Sequence, residues 1–201
     1  MKSLKKKYIP ISEKLTNELL SSHQSLFNEY NMQLEDEKYP YDRLVLNQEK
    51  AKWLAVTVFD HFLSHEEARK ELFGWHDLPY TEQHKLIEAE RLNKLTAFMH
   101  DITLSQTIYF VKFGGRHFKQ LKFSIAQSDD ILKKYQIDLF TMYGASHLKK
   151  HRRKLFFPEW NAILCYYDDY ILRFLFKPEK HVVQAISEMA KKHGLFVLVQ
   201  D

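Results

Sequence analysis

The chain has 201 residues, 45% of them hydrophobic and 28% charged, with five glycines, five prolines and a single cysteine. At that length a packed chain buries roughly 70% of its unfolded surface, so wholesale disorder and collagen-like or linker-dominated architectures are excluded. Cys165 alone forms neither a disulfide framework nor a cysteine zinc site, and no apolar run approaches the ~18 residues of a spanning helix.

Residues 1–10 read as a flexible basic lead. The charges of Lys2, Lys5, Lys6 and Lys7 are not followed by an apolar stretch, so a secretory signal is not expected and a cytoplasmic location is. Ser12 is placed to cap a helix whose apolar positions Leu15, Leu19, Leu26 and Phe27 keep helical spacing. A polar loop with Pro40 follows. The longest helical signal is expected from Asn47 through Trp53, Val56, Phe59, Leu63 and Glu67, with Gly74 as its C-terminal stop. Thr81 caps the next helix, which should run to about His100 on a face made of Leu86, Ala89, Leu92, Leu95 and Phe98/Met99. The first hundred residues thus read as about three helices.

The texture changes after Ser105. Two runs rich in β-branched and aromatic residues, 107–113 and 121–125, are joined by Gly114-Gly115 and predict a β-hairpin with a primed-type turn. Ser128-Asp129-Asp130 opens a helix expected to end near Gly144, because a side-chain cap and first-turn acids complement the helix dipole. A second hairpin is predicted from Ala162 to Phe176 around the turn Asp168-Asp169. A helix with the buried stripe Val182/Val183, Ile186 and Met189/Ala190 follows, stopped by Gly194, and then a last strand from Leu195 to Val199. The predicted class is α+β: one domain over residues 1–201, with a helical part (1–104) packed with a mainly antiparallel sheet of about five strands in ββα-ββα-β order (105–201) and helices on one face.

The formal charge of +4 is unevenly spread. Residues 1–100 carry 14 Lys/Arg against 16 Asp/Glu, whereas residues 112–154 carry 11 against three. A segment with that excess of +8 attracts a polyanion, whether nucleic acid, an anionic membrane surface or an acidic protein. Its residues Arg116, Lys119, Lys149, Lys150, Arg152, Arg153 and Lys154, with the loop aromatics Trp75 and Tyr80, are the candidate binding set.

Catalytic motifs are another matter. Gly114-Gly115-Arg116 links strand to strand and lacks the phosphate-loop pattern, and there is no nucleophile elbow or dinucleotide fingerprint. Cys165 sits in an apolar strand with no cationic neighbour to lower its pKa. No catalytic residue, cofactor or metal site is assigned. The one set from which a metal site could be assembled is His61 and His65, four apart on the expected helix, with His100 and Asp101. The first reading is therefore a non-catalytic protein-binding protein, of the immunity- or antitoxin-like kind that inhibits a toxin or enzyme. The alternative is a nucleic-acid-associated protein using residues 112–154, and a metal-dependent hydrolase ranks third.

Overall fold

The structure, a computed structural model, describes residues 8–27, 53–72, 81–114, 120–126, 154–168, 170–176 and 179–200. Its elements in chain order are β1 (Tyr8–Pro10), α1 (Glu13–Ser22), β2 (Trp53–Thr57), α2 (His65–Glu71), α3 (Glu82–Ser105), β3 (Tyr109–Gly114), β4 (Gln120–Ala126), β5 (Lys154–Phe157), β6 (Ala162–Asp168), β7 (Ile171–Phe176), α4 (Lys180–Lys192) and β8 (Phe196–Gln200). The class is α+β. The described strands form one sheet in the order β1-β4-β3-β5-β6-β7-β2-β8, and each of its ladders is antiparallel.

Both predicted hairpins form, but not with the expected turns: Gly114 and Asp168 are still paired within their ladders, with Gln120 and Ile171, so the first connection spans residues 115–119 rather than a two-residue Gly-Gly turn, and the second turn falls one residue later. In the first, Phe110 to Gly114 pairs with Ser124 to Gln120; in the second, Ala162 to Asp168 pairs with Phe176 to Ile171 across a register shift between Leu164 and Tyr166. The final helix forms as its pattern requires. Val182, Ile186 and Ala190 are buried on one stripe, and Gly194 adopts φ +66°. The Leu195 amide donates to Ala190 O at 2.9 Å and the Gly194 amide to Lys191 O at 3.0 Å, the paired bonds of a Schellman stop. Ser12 caps α1 through a bond from the Leu15 amide.

Several expectations fail. The long helix from Asn47 to Gly74 does not exist as such: residues 53–57 are strand β2, and residues 58–64 bend before the short α2. Trp53 to Phe59 is a short run, apolar but for Thr57, equally able to be a helix segment or a strand buried on both sides. Pairing on both edges, with β7 and with β8, decides for strand. Ser64-His65-Glu66-Glu67 carried the missed signal, a capping box in which the Glu67 amide donates to Ser64 Oγ and the Ser64 amide to Glu67 Oε2.

Residues 8–10 are not a loose lead but strand β1 on the edge of β4, and β5 grows from the end of the basic segment. The sheet therefore has eight strands rather than about five, and two come from the half expected to be wholly helical. Helix α3 runs on to Ser105, and its expected face is only half right: Leu95, Phe98, Met99 and Ile102 are buried, whereas Leu86 and Ala89 are exposed. The predicted helix at 129–143 lies outside the described residues.

Helices cover both faces of the sheet rather than one. Leu54, Val56, Phe110, Leu155, Phe157, Leu164, Leu172 and Phe174 pack beneath α3 and α4. On the opposite face, Val111, Phe123, Phe156 and Ile163 meet Leu19 of α1 and the helical residues Leu26 and Phe27. Strand alternation makes this division: Phe156 and Phe157 are neighbours in the chain, both fully buried, and each anchors a different core. Phe156 takes edge-to-face contacts from Phe27 at 4.9 Å and His23 at 5.0 Å, while Phe157 stacks on Trp160 at 5.4 Å.

Candidate functional site

The basic segment enters the sheet at two points. Lys112 on β3 and Lys122 on β4 occupy directly opposed positions of one ladder. Alternation from Phe110 and Ser124, their neighbours in register, puts both positions on the face that carries α3 and α4 farther along the sheet. Lys122 is exposed. Lys154 opens β5 opposite Val111 and is half-buried, so it sits on the other face. Residues 115–119 connect β3 to β4, so Arg116 and Lys119 belong to this hairpin by sequence, but both lie outside the described residues, as do Lys149, Lys150, Arg152, Arg153, Trp75 and Tyr80.

The histidine set is not brought together as a helical pair. His61 lies in the bend before α2 and His65 is that helix's first residue, so the two do not share a helix face. Both ring nitrogens of His61 are engaged, Nδ1 with Asp60 at 2.6 Å and Nε2 with Glu67 at 3.1 Å. The two carboxylates, Asp60 foremost, raise the imidazole above its ordinary pKa of 6.5. Glu67 is held down at about 2, chiefly by its bonds to Ser64. Asp101 instead joins α3 to the end of α4, accepting from Lys192 Nζ at 2.8 Å and facing His193 Nε2 at 2.9 Å; these partners lower its pKa, Lys192 most. No group of three or more His, Cys, Asp or Glu among the described residues is arranged to hold a metal ion.

A buried polar cluster was not legible beforehand. Glu88 of α3 is buried and accepts a bond from the Tyr170 hydroxyl at 2.9 Å. Arg91, one turn on, lies 5.0 Å over the Phe59 ring and 5.4 Å over the Tyr170 ring. It also donates to the Glu71 carbonyl at 2.6 Å and pairs with the Glu71 carboxylate. These contacts clamp the end of α2, the middle of α3 and the β6–β7 turn. Each group has partners within the fold, and the cluster reads as structural.

The two sheet edges differ in kind. Strand β1 has three residues and includes Pro10, which offers no N–H to a further strand. Strand β8 has five residues, Phe196-Val197-Leu198-Val199-Gln200, with neither charge nor proline, and β2 is its one neighbour in the described sheet. Phe196 and Val199 are 45% and 40% exposed.

No helix among the described residues is long and apolar enough to cross a membrane. No protein-family model, curated protein or solved structure matches the chain.

Proposed function

We propose that the chain is a non-catalytic, cytoplasmic protein-binding protein of the immunity- or antitoxin-like kind, which holds an acidic surface of its partner against the basic β3–β4 hairpin. The observation that carries this reading is the direct opposition of Lys112 and Lys122. Opposed like charges in a ladder are unfavourable, and cross-strand pairs are worth about 0.2–1 kcal/mol. A negative partner surface that neutralises both removes the penalty, and Arg116 and Lys119 in the connecting segment add to the same charge. A basic contact surface calls for an acidic target rather than the basic active site of a nuclease.

The test is affinity isolation of the full chain from its source cells at low salt, followed by a salt gradient. The expected result is a protein partner that elutes as ionic strength rises above the physiological ~0.15 M. The Lys122→Glu variant should lose that partner while melting no lower than the parent, because the substitution turns a like-charge opposition into an attractive one. Co-purification of nuclease-sensitive material with a steep salt dependence would instead favour nucleic acid as the polyanion. Retention indifferent to both salt and Lys122→Glu would overturn both readings of this hairpin.

A further inference from the structure

Backbone groups along an uncovered sheet edge are a template for another strand, and proteins commonly blunt such edges with charge, proline, bulges or shortness. Edge strand β1 is blunted by length and by Pro10. Among the described residues edge strand β8 carries none of these devices, and its two exposed side chains lie on opposite faces, Phe196 on one and Val199 on the other. We propose that β8 is a self-association edge, through which two copies of this chain pair their β8 strands antiparallel about a twofold axis and continue one sheet across both.

Three observations select a second copy as the occupant. The strand is uncharged from Phe196 to Gln200, so pairing it with itself opposes no like charges, whereas a twofold repeats any charge against its own copy. With Leu198 on the axis, Val197 of each copy faces Val199 of the other and Phe196 faces Gln200. The exposed Val199 then gains a β-branched neighbour on the face where Val197 already packs into the main core. The pairing also closes, because the opposite edge of the described sheet is blunted, so a dimer formed through β8 offers no second open edge among the described strands on which to grow. Five residues a side make a small interface of the kind found in weak, reversible complexes, so the association is expected to be reversible and dependent on concentration.

The test is sedimentation equilibrium of the full chain from low to high micromolar concentration. A reversible monomer–dimer equilibrium is expected, with β8 amides gaining protection from hydrogen exchange as the dimer fills. Val199→Lys should weaken the dimer by about tenfold or more, with Phe196→Lys as a second variant should the first melt early. Leu104→Lys, at a 74% exposed site on α3, should leave the dimer intact, which separates strand pairing from general stickiness. A chain that stays monomeric throughout, growth beyond the dimer, or a dimer indifferent to both β8 substitutions would overturn the proposal.

Discussion

The hydroxyl of Tyr170 donates to the carboxylate of Glu88 across 2.9 Å, joining residues 82 positions apart in the chain. Both are buried, and Tyr170 sits at φ +63°, a left-handed conformation that an aromatic residue rarely adopts. A tyrosine held there costs the β6–β7 turn some backbone energy, which is offset where its ring and hydroxyl reach: Glu88 on α3 and the guanidinium of Arg91. The turn and the helix are thereby fastened to each other.

Tyr170→Phe keeps the ring over Arg91 and removes the hydroxyl alone, leaving a buried carboxylate short of one donor. Such a loss costs about 1–3 kcal/mol, which in a domain of this size lowers the melting temperature by roughly 2–12 °C. Thermal unfolding followed by circular dichroism measures it. An unchanged midpoint would show that Glu88 draws its stabilisation from elsewhere.

Arg91→Lys tests the other side of the cluster. A lysine keeps the charge but cannot reach the Glu71 carbonyl and carboxylate together while lying flat between two rings. A loss of about 1–2 kcal/mol in urea unfolding is expected from the forfeited ring contact and hydrogen bonds.

Asp101 ties α3 to the end of α4, and its lowered pKa makes that tie dependent on pH. A group whose pKa is depressed by folding contributes stability above its unfolded value, near 3.8 here, and loses it as pH falls through the folded one. Urea midpoints should therefore drop below about pH 4 by less in Asp101→Asn than in the parent. Equal acid sensitivity in both proteins would exclude Asp101 as a contributor.

The turn before α2 is governed by two groups with opposite signs. Glu67, lowered to about 2, holds its bonds to Ser64 and His61 fully above its ordinary value of 4.5. His61, raised, contributes fully below 6.5 and loses that contribution as pH rises through its folded value. Between 4.5 and 6.5 both act together. Side-chain NMR titration should find Glu67 near 2 and His61 above 6.5, and Asp60→Asn should bring His61 back toward 6.5 because Asp60 is its largest perturber.

What could be read without the fold was local. The β3–β4 and β6–β7 hairpins are set by alternation beside a turn, α4 by an apolar stripe and Gly194, and α1 and α3 by the caps Ser12 and Thr81. Each of these signals lies within about a dozen residues, so short-range sterics and hydrogen bonding suffice to declare it. The basic excess of residues 112–154 was equally plain, because charge counts need no geometry.

Tertiary structure alone decided the rest. Leu54 to Val56 is a strand because β7 and β8, more than a hundred residues later, supply hydrogen-bond partners on both sides; a short apolar run has no period of its own to declare that. The opposition of Lys112 and Lys122 follows from a register that spacing only suggests. The meeting of Glu88, Arg91 and Tyr170 has no trace in the sequence, since a buried polar cluster forms where distant elements converge. That β1 and β8 are the edges of the described sheet, one blunted by Pro10 and the other without charge or proline, depends on a strand order that puts β1 beside β4 and β2 between β7 and β8, each far from its chain neighbours. Long-range pairing sets that order by burying both faces of the central strands at once, a constraint that belongs to the whole chain and to no segment of it.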